Sequence, residues 1–170
     1  TGEPALTMAG GVALNCVANS RLWREGPFDA VWVQPASGDS GTALGAALRL
    51  ARDLGDRVET MRGADVGRSW DDDELETALR IARVPYERPR DVAEAVAEVL
   101  ARDGVVAWFQ GASEYGPRAL GRRSLLADPR SAANVERLND VKGREQFRPV
   151  APMVLAERAP EIFARGPVTS

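Results

Sequence analysis

Two clusters of cationic side chains between residues 114 and 149 are the groups in this chain best suited to chemistry. The first cluster comprises Arg118, Arg122 and Arg123, and the second comprises Lys142, Arg144 and Arg148. Glycine and proline stand among these cations, where they permit tight turns with exposed backbone N–H groups. Arginine offers paired donors to phosphate oxygens, and lysine adds a compact positive charge. The two clusters therefore predict a binding site for a dense anion.

A simpler interpretation is an arginine-rich surface loop. The chain contains 22 lysine and arginine residues, and Lys142 is its only lysine, so arginine is abundant throughout. A solvated basic face, however, is typically a regular helix with charges spaced four residues apart. The glycines and prolines around the cations favour the anion site.

Composition restricts the classes of function. With 170 residues, 44% of them hydrophobic, the chain can form one domain, or a small domain and part of another. The formal net charge of −3 argues against a general binder of nucleic acid or membranes. The single cysteine, Cys16, excludes an internal disulfide, and no apolar run or leader is evident, so we expect a cytoplasmic protein. Histidine is absent, so a histidine-based metal or proton-transfer site would need residues from elsewhere.

The first third of the chain predicts two loops that could approach a ligand. Gly10 and Gly11 open a predicted helix, whose core-facing side chains we expect to be Val12, Cys16, Val17 and Leu22. Residues 30–34 predict a buried strand, followed by a glycine-rich loop at 36–41 and a helix over 42–51. This order of elements places a ligand at the carboxyl end of the strand. Two alternatives stay open, because a glycine pair is often only a turn and Asp39 is equally suited to cap the helix.

The remainder predicts further helices and strands, and hence an α/β fold. A linker is expected near residues 53–70, followed by a helix whose acidic first turn, 71–74, suits the helix dipole better than a metal ion. A second helix is predicted over 91–102, with Val92, Val96, Val99 and Leu100 facing inward. Strands are predicted over 104–109 and 151–155, and helices over 131–138 and 157–163.

Four segments carry specific strings: GGVALNCVAN at 10–19, VQPASGDSGTALGAAL at 33–48, EYGPRALGRRSLLADPR at 114–130 and KGREQFRPVAPMVL at 142–155. In these strings the chain resembles the O-carbamoyltransferases of antibiotic and nodulation-factor biosynthesis, such as the tobramycin, cephamycin and Nod-factor carbamoylating enzymes. The resemblance covers most of the chain outside residues 53–90. Residues 111–115 depart from many members, because one arginine of the family pattern is absent.

The resemblance implies an α/β fold made of two modules. Residues 1–55 would be the C-terminal part of a Kae1-like nucleotide-binding domain of the actin and sugar-kinase superfamily. Residues 56–69 would be a linker, and residues 70–170 an incomplete YrdC-like carbamoyltransferase C-terminal domain. The resemblance also implies that the chain is a fragment of a longer enzyme, and we do not expect turnover by the fragment alone.

The resemblance further implies a two-stage reaction. Carbamoyl phosphate and ATP form carbamoyl-adenylate in the YrdC-like module, and the Kae1-like module passes the carbamoyl group to a hydroxyl of a small-molecule acceptor. The implied catalytic residues are Arg118, Lys142, Arg144 and Arg148, and the implied substrate-binding residues are Arg122, Arg123 and Ser124. Six residues would bind ATP: Gly10, Gly11, Asn15, Gly38, Ser40 and Gly41. Asp39 would be a ligand of a divalent metal, Fe or Mg, and we expect Arg118 and Lys142 to converge on one pocket.

Two other functions stay open from the sequence. The first is a stand-alone module that binds an anion or RNA, since YrdC-like folds have a cationic concave surface; the negative net charge and the few aromatic residues argue against RNA. The second is threonylcarbamoyl-adenylate chemistry for tRNA modification, which uses the same folds. The GPRALG-x-RS string favours the small-molecule branch, with neither a membrane nor a nucleic acid as partner.

Overall fold

The computed structural model describes residues 2–163, which form a mixed α/β structure in two compact units. Within these residues, unit 1 comprises 2–64, 115–118 and 154–163, and unit 2 comprises 65–114 and 119–153. The predicted α/β class is confirmed. None of the helices in this part of the chain is both long and apolar enough to span a lipid bilayer.

Unit 1 is organised around two parallel strands. Its elements are β1 (Ala5–Met8), a 3₁₀ turn (Gly11–Leu14), α1 (Cys16–Glu25), β2 (Ala30–Val33), α2 (Gly41–Asp53), a second 3₁₀ turn (Ala156–Arg158) and α6 (Ala159–Ile162). Ala5 lies opposite Ala30, and Met8 lies opposite Val33. Parallel strands need a crossover connection, which α1 provides. The two strands therefore end at the same edge, and a loop follows each of them.

Unit 2 is organised around an antiparallel strand pair. Its elements are α3 (Asp72–Ile81), α4 (Val92–Ala101), β3 (Val106–Phe109), β4 (Arg123–Leu126) and α5 (Ala133–Val141). Asp71 and Glu74 form a reciprocal capping box, so the acidic run does begin a helix, as predicted. The Asp91 carboxylate caps α4 by accepting a hydrogen bond from the Glu94 N–H at 2.9 Å.

The core of the described residues is thin and consists of small side chains. The buried apolar residues are Ala13, Ala36, Ala64, Leu138 and Ala159. The prediction that Val12, Cys16 and Val17 face the core is wrong, because all three are exposed. A separate 3₁₀ turn precedes α1, which begins only at Cys16, so the helical period does not start at the glycine pair. Ala13 is buried instead.

Three other expectations need correction. Val92 and Val99 are exposed on α4, while Val96 and Leu100 are partly buried. No strand forms over 151–155, where Pro152 cannot donate to a ladder. The predicted terminal helix is divided into a 3₁₀ turn and α6, and the rest of the chain from 164 lies outside the described residues. The pattern analysis missed β1 and β4, each only four residues long.

Candidate functional site

Two loops meet at the carboxyl ends of the parallel strands in unit 1. The first loop follows β1 and contains Gly10, and the second follows β2 and contains Ser37. The Gly10 N–H donates a hydrogen bond to the Ser37 carbonyl oxygen at 2.6 Å, which holds the loops together. In open α/β sheets, ligands bind at this edge because the loops of neighbouring strands converge there. The two glycine-containing loops singled out in the sequence are thus adjacent within unit 1.

The glycines of these loops serve two different purposes. An added Cβ at Gly41 would lie 2.1 Å from the Ala36 carbonyl oxygen, so the start of α2 requires a glycine. Gly38 makes only ordinary van der Waals contact. Gly10 has a φ of 105°, and nothing lies within 4 Å of a Cβ added there or at Gly11. The backbone of the glycine pair is therefore open to close approach by a ligand.

The polar residues of the same loops also differ in their roles. The Asn15 side chain accepts a hydrogen bond from the Ala18 N–H at 3.1 Å and so caps α1. Ser40 is the N-cap of α2, but its side chain makes no capping hydrogen bond. Asp39 is exposed, and its carbonyl oxygen accepts hydrogen bonds from the Thr42 N–H and hydroxyl. The alternative in which Asp39 is the N-cap of this helix is therefore wrong.

Asp39 is the one residue of these loops that was predicted to bind a metal ion, through its carboxylate. Among residues 2–163, no three His, Cys, Asp or Glu side chains come together in an arrangement that could hold a metal. Hard divalent cations take six or more oxygen ligands, including water. This part of the chain fits such a site only as the source of one ligand, with the other ligands supplied from elsewhere.

Buried polar atoms without partners lie in and beside the two loops. In the described part of the chain these atoms are Asn19 Oδ1, Gln34 Nε2 and Ser37 Oγ. Ser37 is only 5% exposed. A buried polar group left unpaired costs about 1–3 kcal/mol, so a polar ligand or water at the loops would be stabilising. Gln34 Nε2 and Ser37 Oγ can donate to an acceptor such as a phosphate oxygen, whereas Asn19 Oδ1 can only accept.

Residues 115–118, which include Arg118 of the first cluster, pack onto the second loop of unit 1. The Tyr115 hydroxyl donates a hydrogen bond to the Ser40 carbonyl oxygen at 3.1 Å. Gly116 has a φ of 109°, and a Cβ there would lie 2.5 Å from the Pro35 carbonyl oxygen. Only glycine allows this approach without displacing the backbone. Sequence reasoning missed Tyr115 as a structural link, although it adjoins the GPRALG string.

Arg118 is the one predicted cation that belongs to unit 1. Its guanidinium donates a hydrogen bond to the Leu14 carbonyl oxygen, at the end of the first loop of unit 1. The other five cations of the two clusters lie in unit 2. Convergence of Arg118 and Lys142 on one pocket stays a prediction.

A carboxylate fills the loop at residues 120–123 in unit 2. Glu114 Oε1 accepts hydrogen bonds from the N–H groups of Leu120 and Arg122 at 2.6 and 3.3 Å, and Oε2 accepts from the Arg123 N–H at 3.0 Å. The remaining N–H group of this loop, that of residue 121, donates a hydrogen bond to the Ser124 hydroxyl oxygen at 3.0 Å. The backbone donors that the sequence offered to an anion are thus occupied from within the chain. Sequence reasoning missed this role of Glu114.

The two arginines of the same loop are also engaged. Arg122 forms an ion pair with Asp65 at 2.7 Å. The Arg123 guanidinium donates to carbonyl oxygens of the segment after β3 and lies 3.5 Å from the centroid of the Phe109 ring. Asp65 balances the charge of Arg122, whereas Glu114 accepts hydrogen bonds from the backbone N–H groups of both arginines. To bind substrate, Arg122 and Arg123 would therefore have to share or exchange these partners.

The second cationic cluster follows α5 in a turn built on a buried amide. Asn139 is fully buried, and its Nδ2 donates to the carbonyl oxygens of Gln146 and Arg148 at 3.3 and 3.1 Å. Its Oδ1 accepts a hydrogen bond from Arg144 Nε at 2.6 Å. Arg144 thus helps to hold the turn. No sequence signal distinguished Asn139 from an ordinary helical residue.

Lys142 and Arg148 retain the donors best placed to meet an anion in unit 2. Arg148 Nε donates to the Glu145 carboxylate at 2.6 Å, and this hydrogen bond holds the pKa of Glu145 below its ordinary value. The terminal nitrogens of Arg148 make no hydrogen bond within residues 2–163. Lys142 is exposed at the end of α5, and in the same residues its side chain has neither a hydrogen bond nor an ion pair.

Comparison with known proteins relates this chain to one group. Residues 2–48 match the family model for the carbamoyltransferase N-terminus, and residues 97–169 match the model for the carbamoyltransferase C-terminus. Over 96% of its length the chain is 46% identical to nodulation protein NolO of Bradyrhizobium diazoefficiens, of which it covers 31%. Over 95% of its length it is 39% identical to the 3'-hydroxymethylcephem-O-carbamoyltransferase of Streptomyces clavuligerus, of which it covers 30%. It is also 45% identical to the uncharacterized Synechocystis protein sll1178 and covers 28% of it. The chain thus spans less than a third of each of these relatives.

Proposed function

Because this chain belongs to the carbamoyltransferase family, we propose that it is part of an ATP-dependent O-carbamoyltransferase. In the complete enzyme, hydrolysis of carbamoyl phosphate releases phosphate and carbamate, and the carbamate oxygen attacks the α-phosphorus of ATP to give carbamoyl-adenylate and pyrophosphate. A hydroxyl of a small-molecule natural product then takes the carbamoyl group, and AMP leaves. One observation carries the proposal: a single chain matches both the N-terminal and the C-terminal carbamoyltransferase models. We expect this enzyme in the cytoplasm, where ATP is available.

We assign the transfer stage to unit 1, as the C-terminal part of a Kae1-like domain. The parallel strands, the open glycine pair and the unpaired buried atoms at the loops support a nucleotide site there. Arg118 reaches the end of the first loop through Leu14, which supports a role for this cation beside the nucleotide. In the transfer stage this site would hold the ATP-derived adenylyl part of carbamoyl-adenylate, which leaves as AMP.

We assign the adenylation stage to unit 2, as an incomplete YrdC-like domain. Adenylation brings two polyanions together, so positive charge must offset their repulsion and stabilise the departing pyrophosphate. Lys142 and the terminal nitrogens of Arg148 supply that charge, because these donors of the second cluster are not used within residues 2–163. Arg144 positions Arg148 through the buried amide of Asn139, which bonds the Arg148 carbonyl oxygen.

Exposed apolar residues within the motifs support the proposal that the chain acts as part of a longer protein. Leu120, Phe147 and Met153 are 61%, 83% and 73% exposed, although each lies within a family string. Exposed apolar side chains that form a patch normally mark a surface covered by a partner or by further chain. We therefore expect the complete protein, and not residues 1–170 alone, to turn over.

The proposed function is tested by isotope exchange with the full-length protein. Labelled pyrophosphate should enter ATP only when carbamoyl phosphate is present, because only then does a reversible adenylation occur. A matched reaction without carbamoyl phosphate gives the background. Exchange that requires threonine and bicarbonate, and ignores carbamoyl phosphate, would instead establish threonylcarbamoyl-adenylate chemistry.

Asp39 gives a prediction about metal content. In the full-length protein, Asp39→Asn should lower the divalent metal retained after purification, since the carboxylate is exposed and accepts no hydrogen bond within residues 2–163. Stability should change little, because Asp39 contributes to the start of α2 through its backbone carbonyl. Elemental analysis measures the metal, and Glu87→Gln serves as a control carboxylate outside the loop. Undiminished metal in the Asp39 variant would remove this residue from the ligand set.

A further inference from the structure

We propose that Glu114 is a positioning residue whose carboxylate acts as a built-in oxyanion for the loop at residues 120–123. Its task is to fix the loop that carries Arg122 and Arg123, two residues implied in substrate binding. The kinetic part of this inference rests on the function proposed above, whereas the structural part does not.

The geometry around Glu114 is that of an anion held by backbone donors. Both carboxylate oxygens are used, and three N–H groups of one short loop point to them, from residues 120, 122 and 123. Successive N–H groups in a turn form a concavity that binds anions. Hydrogen bonds to an ionised acceptor are roughly twice as strong as neutral ones. A neutral glutamine could accept on one atom only, and its NH₂ group would face an N–H donor.

The hydrogen bonds to Glu114 also determine the positions from which the Arg122 and Arg123 side chains extend. The Arg123 N–H bonds to Glu114 at 3.0 Å, while its guanidinium donates to the Gln110 and Gly111 carbonyl oxygens at 2.8 and 3.0 Å. Arg123 also pairs with Phe109 across the β3–β4 ladder. Fixing this backbone therefore fixes the first residue of β4 and, one residue earlier, the direction of Arg122 toward Asp65. Without the carboxylate, three donors that face one another would lack an acceptor.

The test uses Glu114→Ala in the full-length protein and rescue by added acetate. Removing the side chain should leave the three donors free, so the KM for carbamoyl phosphate in the exchange reaction should rise roughly ten- to a hundredfold, as expected for the loss of a charge-assisted contact. Added acetate should restore much of that loss, and neutral acetamide should not. Glu87→Ala, an exposed carboxylate of the same unit, should change nothing with or without acetate.

Amide hydrogen exchange separates this inference from the proposed function. In the wild-type protein the N–H groups of residues 120, 122 and 123 should exchange slowly, and in Glu114→Gln they should exchange at least tenfold faster. Amide exchange can be measured without catalytic activity. If Glu114→Ala does not fold, the Glu114→Gln variant still tests the inference. Unchanged protection of these amides, or a kinetic defect that acetate fails to relieve in a folded variant, would overturn the positioning role. Absence of pyrophosphate exchange in the wild-type protein would overturn only the proposed function.

Discussion

Replacing Lys142 with alanine in the full-length protein is expected to slow carbamoyl-phosphate-dependent exchange of pyrophosphate into ATP by some tens- to hundreds-fold. The loss corresponds to about 2–4 kcal/mol of transition-state stabilisation, the usual worth of one electrostatic contact to developing charge. The fold should be unaffected, because Lys142 is exposed and its side chain makes no polar contact within residues 2–163. The measurement is the initial rate of label entering ATP.

Two controls make the Lys142 result specific. Arg90→Ala removes another exposed cation of unit 2, one without an ion pair in the described residues, and should leave exchange unchanged. Preformed carbamoyl-adenylate, given to the Lys142 variant, should still carbamoylate the acceptor, because adenylation has been bypassed. Normal exchange with lost transfer would mean that the second cluster serves the other stage of the reaction.

Arg144 is a less informative target than the sequence suggested. Arg144→Ala should also block exchange, but it removes the hydrogen bond to Asn139 Oδ1 and leaves a buried acceptor unpaired. Such a loss costs about 1–3 kcal/mol of stability, so a slow Arg144 variant could be misfolded at this turn. Lys142 avoids that ambiguity.

The sequence predicted the elements whose signals are local. Capping residues and helical periodicity indicated α3 and α4, and the β-branched run before Pro35 indicated β2. It did not indicate β4, whose pairing depends on a non-local contact between Arg123 and Phe109. It also misjudged which side chains are buried, since burial depends on packing partners that a one-dimensional pattern does not specify.

For the candidate site, the sequence singled out candidate residues but not the contacts that they make in the fold. It singled out the six cations by type and spacing, which are visible in one dimension. It could not show that Arg122 pairs with Asp65, because the two residues lie 57 positions apart. Nor could it show that Arg118 contacts Leu14, 104 positions away. Such partners follow from the path of the chain and not from local composition.

The second large effect is expected from a substitution at Gly116, where the path of the chain brings two segments of the backbone close together. Gly116→Ala should destabilise the full-length protein by about 2 kcal/mol more than Gly121→Ala, measured as the free energy of unfolding in denaturant. The two glycines have similar φ values, 109° and 104°, so alanine should incur a similar backbone strain of about 1–3 kcal/mol at either position. Only at Gly116 would the new Cβ meet the main chain, 2.5 Å from the Pro35 carbonyl oxygen, whereas nothing lies within 4 Å at Gly121.

The additional cost follows from what the close approach at Gly116 holds in place. A Cβ there must push residues 115–118 away from the second loop of unit 1, breaking the hydrogen bonds from Tyr115 to Ser40 and from Arg118 to Leu14. Two such hydrogen bonds are worth about 2 kcal/mol together. Because Arg118 is displaced, the Gly116 variant should also lose carbamoyl transfer under conditions where it remains folded, and the Gly121 variant should lose far less. Equal destabilisation by the two substitutions would show that residues 115–118 do not depend on the contact with Pro35.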